Sequence, residues 1–208
     1  MEQRMIYLIR HGALESKGGK RFIGQIDLPL SEEGLVQAKR LGQELSCLRL
    51  SQIFCSDLQR SRETAEIIAG KHNLAPIPCP ELREICLGEW EGRYFEEIRR
   101  RFPNEFNQRG KDIVKFCPPG GESFNQCSQR VVAKWQQIME NSTGNILITG
   151  HAGVNRLILC HLLGIPLENI FCLSQDYGCL NVISYRDQKY QVKALNKVSR
   201  FKRLHSNN

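Results

Sequence analysis

The 208-residue chain lacks any apolar run near the roughly 20 residues of a membrane-spanning helix, so no such helix is expected. Its opening, MEQRMIYLIRHG, has no basic, apolar and small-residue leader pattern, and a cytoplasmic location is expected. There is no internal repeat and no low-complexity stretch. With 17 glycines, 8 prolines, 41% hydrophobic and 25% charged residues, collagen-like and disordered chains are excluded as well. Nine cysteines cannot all pair, and no two have C-x-x-C spacing, so free thiols are expected. Cys47, Cys55, Cys160, Cys172 and Cys179 sit in apolar stretches and read as small core residues. Acids are fewer than bases, 22 against 29, which leaves a net charge of +7. Such an excess points to an anionic partner: nucleic acid, an anionic membrane or a small phosphate ester.

Several phosphate chemistries are missing too. Gly19-Lys20 lacks the upstream glycine and following hydroxyl of a nucleotide-binding loop. No cysteine is followed six residues later by arginine, and no D-x-D-x-T run is present. The histidines at 11, 72, 151, 161 and 205 have no metal-ligand spacing. No metal and no cofactor is therefore expected.

What is present is an alternation of short apolar strands and amphipathic helices. Met5–Ile9, Ile53–Cys55 and Asn145–Thr149 read as buried strands. Ser31 is a candidate N-cap for a helix carrying Leu35, Ala38, Leu41, Leu45 and Leu48. A second helix follows Asp57, with Leu58, Ala65 and Ile68 on its apolar side. Prolines 76, 78 and 80 confine their segment to an edge. Leu82 to Tyr94 reads as irregular, Tyr94 to Phe102 as a short helix, and Ser123 as the cap of a long helix through Ile138. A further helix covers Val154 to Leu163, and strands Cys179–Tyr185 and Tyr190–Leu195 form a hairpin. The pattern predicts one domain over 1–208, three-layer α/β/α with a mainly parallel, mixed sheet. Residues 90–120 are expected as a cap insertion and 198–208 as a basic tail.

In such sheets ligands bind beyond the C-terminal strand ends. Arg10 and His11 follow the first strand, Arg60 opens the helix after the second, and His151 follows the strand ending at Thr149. One histidine at a strand end is ordinarily a capping or solvated residue, and Arg60 and Arg62 can pair with Glu63 and Glu66 on a helix surface. Three strand ends bringing cations to one rim make a phosphoryl pocket the simpler reading, since the cations repel one another without an anion.

These residues carry a resemblance. Ile9-Arg10-His11-Gly12 resembles the signature of the histidine phosphatases, the branch that includes phosphoglycerate mutase. The stretch Phe22-Ile23-Gly24-Gln25-Ile26-Asp27-Leu28-Pro29-Leu30-Ser31 is similar to the family's F-x-G-x-x-D-x-P-L-S, and Glu33-Gly34 with Gln37-Ala38 follows. Ser56 to Ala65 resembles S-x-L-x-R-A-x-x-T-A, and Leu82 to Gly92 resembles L-x-E-x-x-x-G-x-W-E-G. Pro119-Gly120-Gly121-Glu122-Ser123 and Gly150-His151-Ala152-Gly153-Val154 complete six ordered motifs over residues 5–185. The phosphoglycerate mutase-like fold is what this resemblance implies.

It also implies that His11 attacks phosphorus to form a phosphohistidine, that Arg10, Arg60 and His151 hold the phosphoryl oxygens, and that Glu84 protonates the leaving group. Without the motif, Glu84 reads as a loop carboxylate paired with Arg83 or Arg93. Gly24 is placed with the substrate-binding residues, and Arg21 is the expected contact from the basic loop 15–21. Ala13 and Leu14 replace the family's usual acidic or amide residue and hydroxyl. The implied function is a metal-independent phosphomonoesterase acting on a small phosphate ester. The compact size resembles the broad-specificity and α-ribazole phosphatases of cobalamin synthesis, and α-ribazole 5'-phosphate is the example substrate. The rivals are a cofactor-dependent phosphoglycerate mutase, served by Arg93, Arg99, Arg100, Arg101, Arg109 and Lys111, and a non-catalytic phosphate- or nucleic-acid-binding protein. The expected partner is a small phosphorylated substrate, without nucleic acid or membrane, the protein being a monomer or homodimer.

Overall fold

A computed structural model describes residues 3–16 and 18–198; Lys17 and positions 199–208 of the expected basic tail lie outside the described residues. Strands β1 (Arg4–Arg10), β2 (Leu50–Cys55), β3 (Pro76–Pro78), β4 (Asn145–Gly150), β5 (Leu180–Arg186) and β6 (Lys189–Lys197) form one sheet in the order β3-β2-β4-β1-β5-β6. The first four in that order run parallel, while β5 is antiparallel to β1 and β6 to β5. Proline-flanked β3 takes the edge, where missing N–H donors cost no ladder bond.

Alternation along each strand sends side chains to two cores. On one face Tyr7, Ile9, Ile53 and Leu147 meet Leu41 and Leu45 of α1 (Glu32–Leu45) and Ala65 and Ile68 of α2 (Gln59–Ala69). On the other, Ile6, Leu8, Ile146 and Ile148 meet Val131 and Trp135 of α5 (Phe124–Asn141) and Leu157 and Ile158 of α6 (Ala152–Leu163). Helices α3 (Phe95–Arg101) and α4 (Pro103–Lys111) lie within residues 90–120.

Local signals acted as expected at the caps. The Ser31 hydroxyl accepts from the Gly34 amide, and Ser123 forms a reciprocal box with Gln126. Other readings need correction. The chain from Leu82 to Tyr94 holds a 3-10 turn at Gly88–Trp90, just after another at Pro80–Leu82. Helix α4 continues beyond Phe102, because Pro103 suits a first helical turn; none of its residues is fully buried, so it left no apolar period to read. Cys47 and Cys172 are exposed rather than core, whereas Cys55, Cys160 and Cys179 are buried. Helix α1 ends at Leu45, so Leu48 turns in and Cys47 out; in the 3-10 turn Leu167–Cys172 it is Ile170 that turns inward. Among the described residues no helix is long and apolar enough to cross a membrane.

Candidate active site

The C-terminal ends of β1 and β4 are held side by side: the His11 amide donates to the Gly150 carbonyl at 3.1 Å. The turn after β1 lies on the first turn of α1. A methyl group on Gly12 would strike the Gly34 backbone, and one on Gly34 would strike Ala13. Gln37 Oε1 accepts from the Ala13 amide at 2.8 Å, and the Ala13 carbonyl accepts from the Ser31 amide at 2.9 Å. The recurring glycines, Ser31 and Gln37 therefore fix where His11 points.

His11 is 4% exposed, and its Nδ1 lies 2.7 Å from the Gly12 carbonyl oxygen. A carbonyl only accepts, so Nδ1 carries the proton and Nε2 keeps a free lone pair. Burial, then the Arg60 and Arg10 charges, hold the His11 pKa well below 6.5 against the opposing Gly12 bond. The ring is thus neutral near pH 7, as a nucleophile must be. His151 is fully buried, with its ring centre 5.1 Å from that of His11 and the planes at 62°. Its pKa is also held well below 6.5, by burial first and then by Arg60, His11 and Arg10. Neither His151 ring nitrogen has a hydrogen-bond partner among the described residues. Buried polar atoms are seldom left so, and an orphan pair beside the neutral His11 ring makes this a candidate ligand position.

Arg60 is 1% exposed, not on a helix surface, and its Nη1 and Nη2 donate to the carbonyls of Ile26 and Gly24, each at 2.7 Å. Only two of its five N–H groups are used there, and Nε is buried without a partner. Gly24 thus reaches the site through its carbonyl, as a support for Arg60. Arg10 Nη1 donates to the Gln175 carbonyl at 2.5 Å, and its guanidinium carbon lies 3.7 Å from the centre of the Tyr177 ring. Both arginines are held by neutral carbonyls, so their charges remain available to an anion.

Glu84 is 8% exposed; its Oε1 accepts from the Ile85 amide and its Oε2 from the Gly153 amide, both at 3.0 Å. A side chain on Gly153 would overlap the carboxylate, so a glycine is required there. The alternative pairing of Glu84 with Arg83 or Arg93 is absent: Arg83 clasps Asp57, and Arg93 pairs with Glu97. The Glu84 loop is tied down from α5. Arg130 donates to the carbonyls of Glu81, Arg83 and Glu84 at 2.7, 2.8 and 3.1 Å, and is itself held by Glu122 at 2.5 Å. Glu122 also accepts from the Cys86 amide at 2.8 Å, which gives Pro119-Gly120-Gly121-Glu122-Ser123 a mechanical role.

A cavity of about 350 Å³ opens at this place, lined among others by Arg10, Leu14, Arg21, Leu28, Glu84 and Tyr177. Arg21 donates to the Gly92 carbonyl at 2.9 Å and lies 5.5 Å from the Tyr94 ring centre. No residue from Arg93 to Lys111, the basic stretch that would serve a mutase, lines it. Arg93 and Arg101 pair with Glu97, and Arg99 with Glu96, so three of the six cations in that stretch are paired locally. Phe95 stacks on Phe22 at 3.8 Å, and Phe102 and Phe106 pack on the core.

Arg130, Gln175 and Tyr177 were missed by sequence reasoning. The signal for the last two was strand polarity: because β5 runs antiparallel to β1, the residues preceding it return to the rim where β1 ends. Among the described residues no group of three or more His, Cys, Asp or Glu is placed to hold a metal ion.

Comparison with known proteins adds four findings. A sequence profile described as "Histidine phosphatase superfamily (branch 1)" matches residues 6–198. The chain is 28% identical to an adenosylcobalamin/alpha-ribazole phosphatase of Escherichia coli K12 over 92% of its own length and 95% of the relative's. It is 32% identical to a metal-independent phosphoserine phosphatase of Arabidopsis thaliana over 93% and 82% of the two chains. The crystal structure of the alpha-ribazole phosphatase from Shigella flexneri is similar with a TM-score of 0.84 at 28% identity, over 93% of this chain and 96% of that one.

Proposed function

The chain belongs to the histidine phosphatase superfamily (branch 1) and is a phosphatase, and from that premise we propose that it hydrolyses small phosphomonoesters through a phosphohistidine on Nε2 of His11. The observation that carries this reading is the state of His11: buried, neutral, and tied at Nδ1 so that Nε2 alone is left to react. In the first step the Nε2 lone pair forms the N–P bond while the bond from phosphorus to the leaving oxygen breaks. Glu84 gives that oxygen its proton. In the second step water attacks phosphorus, the N–P bond returns its electrons to Nε2, and Glu84 takes the water's proton. Arg10, Arg60 and the His151 ring hold the equatorial oxygens, where charge is stabilised through both displacements.

The reaction needs no metal, in keeping with the name of the Arabidopsis relative. The relatives' names make α-ribazole 5'-phosphate and phosphoserine the first substrates to try. The test is a phosphomonoester screen with chelator present, joined to acid quenching. Substrate labelled with ³²P is expected to leave acid-labile label on the wild-type protein and none on His11→Asn. Full turnover by His11→Asn would overturn the scheme. Transfer of phosphate within 3-phosphoglycerate, rather than release to water, would show a mutase.

A further inference from the structure

The cavity of about 350 Å³ shares Arg10 and Glu84 with the phosphoryl cluster, while His11, Arg60 and His151 do not line it. In the scheme above, Glu84 gives its proton to the leaving oxygen. The space that opens beyond Arg10 and Glu84 is therefore the room for the rest of the leaving group.

The residues around that room are sorted by depth. Leu14, Ile23, Leu28, Ala152 and Tyr177 are half-buried and form an apolar wall. Glu15, Ser16, Gly19 and Lys20 are exposed and form the rim. The charged groups deeper in are already engaged. Both Glu84 oxygens accept backbone amides, and the Arg10 guanidinium lies on the Tyr177 ring. Arg21 donates to the Gly92 carbonyl, and at the rim the Lys20 ammonium lies 4.5 Å from the Phe95 ring centre. A hydroxyl or charge set against the wall gives up water without gaining a partner, whereas a hydrocarbon is favoured there.

Leu14 is the wall residue nearest in sequence to His11. The Ala13 side chain is buried, so Leu14 is the first residue after His11 whose side chain reaches the cavity. The turn that carries it is fixed by its neighbour's backbone. The Ala13 amide donates to Gln37 Oε1 at 2.8 Å, and the Ala13 carbonyl accepts from the Ser31 amide at 2.9 Å. Neither bond involves the side chain at position 14. Here the chain departs from the family's usual hydroxyl, and leucine offers the leaving group no donor or acceptor.

We propose that Leu14 is a specificity-determining residue: with Ile23, Leu28 and Ala152 it selects phosphomonoesters whose leaving group presents hydrocarbon beside the scissile oxygen. The proposal rests on the phosphomonoesterase reading and narrows its substrate class. Polyol phosphates and zwitterionic esters such as phosphoserine rank below alkyl ones. A closed apolar pocket separates a methyl from a hydroxyl by about a hundredfold. This one is open at its rim, so the expected preference is roughly tenfold in kcat/KM.

The probes are 2-methylbutyl phosphate and glycerol 1-phosphate, assayed with the full-length enzyme. The two share one shape and differ only by methyls in place of hydroxyls. The hydroxylated alcohol is the better leaving group, so a preference for the hydrocarbon cannot come from the bond being broken. Wild type is expected to prefer 2-methylbutyl phosphate. Leu14→Thr is expected to reduce that ratio about threefold or more, and Leu14→Met to keep it. Both esters are measured on one preparation, so a partly unfolded variant does not change the ratio. A wild-type ratio at or below one, a ratio unmoved by Leu14→Thr, or equal losses in the threonine and methionine variants overturns the specificity role alone. Hydrolysis of neither ester by wild type, or of both by His11→Asn, overturns the phosphohistidine reading beneath it.

Discussion

The guanidinium of Arg10 packs 3.7 Å from the centre of the Tyr177 ring, while the same ring lies 5.5 Å from that of His11. One aromatic side chain thus touches both Arg10 and His11, the proposed phosphate-binding cation and the proposed nucleophile. The Gln175 carbonyl fixes Arg10 as well, and the Gln175 amide is locked to Asn181 at 2.8 Å. Tyr177 is a positioning residue by this geometry. Tyr177→Leu is expected to weaken inorganic phosphate binding by roughly threefold to thirtyfold, the range of a cation–π contact, and Tyr177→Phe to retain most of it. Titration calorimetry distinguishes the two; equal losses in both variants would assign the role to the hydroxyl.

In the proposed scheme Glu84→Gln removes the proton carried to the leaving oxygen. Turnover of an alkyl phosphate is expected to fall about a hundredfold to ten-thousandfold. That of p-nitrophenyl phosphate, whose leaving group departs without a proton, should fall much less. A uniform loss across both esters would show Glu84 to be structural, acting through its bonds to Ile85 and Gly153.

The pH behaviour follows from the two buried imidazoles. His11 and His151 are held well below 6.5 in the folded protein, while the unfolded chain titrates near 6.5. Below 6.5 the unfolded state takes up protons that the folded state does not, so folding stability falls as the pH drops towards the folded values. Denaturant titrations in phosphate-free buffer are expected to show this slope, and His11→Asn with His151→Asn to flatten it. In an NMR titration Arg60→Met should raise the His11 pKa more than Arg10→Met does, in keeping with the order of the two charges. No change in either variant would leave burial as the sole cause.

Arg130 acts at a distance from the chemistry. Arg130→Met removes four links to the Glu84 loop and Glu122. With charged hydrogen bonds near 1.5–3 kcal/mol each and partial compensation by water, a loss of about 2 kcal/mol is expected, with kcat falling more than KM changes. Retained kcat at lowered stability would limit Arg130 to folding.

Chelator is expected to leave hydrolysis intact, and an activity restored only by a divalent ion would require a different first step. The check is an assay after exhaustive dialysis against EDTA.

Much of this protein was legible in its residues. The sheet could be read because buried strands are short apolar runs, and the helices because Ser31 and Ser123 cap them and their apolar residues keep a 3.6-residue period. His11, Arg60 and His151 could be located because ligands meet parallel sheets at strand ends, and the Arg-His-Gly turn at Arg10 and the motif around Glu84 were recognisable as words. Helix α4 was hidden because none of its residues is fully buried and Phe106 alone packs on the core, too little for an apolar period to be read. The exposure of Cys47 and Cys172 was hidden because an apolar neighbourhood in sequence does not say which way one side chain turns.

The tertiary structure alone decided the rest. The pairing of β5 against β1 carries Gln175 and Tyr177 to the rim, and no local propensity encodes that polarity. Arg130 reaches Glu84 across 46 residues of sequence. The charge of +7 was countable from composition, but its division was not. Arg93 and Arg101 share Glu97, Arg10 and Arg60 are held by carbonyls, and Arg109 and Arg156 face one open ring. Sequence sets which charges exist; only the packing of distant segments sets which of them have partners, because a charge is screened or left available by what lies within a few ångströms of it.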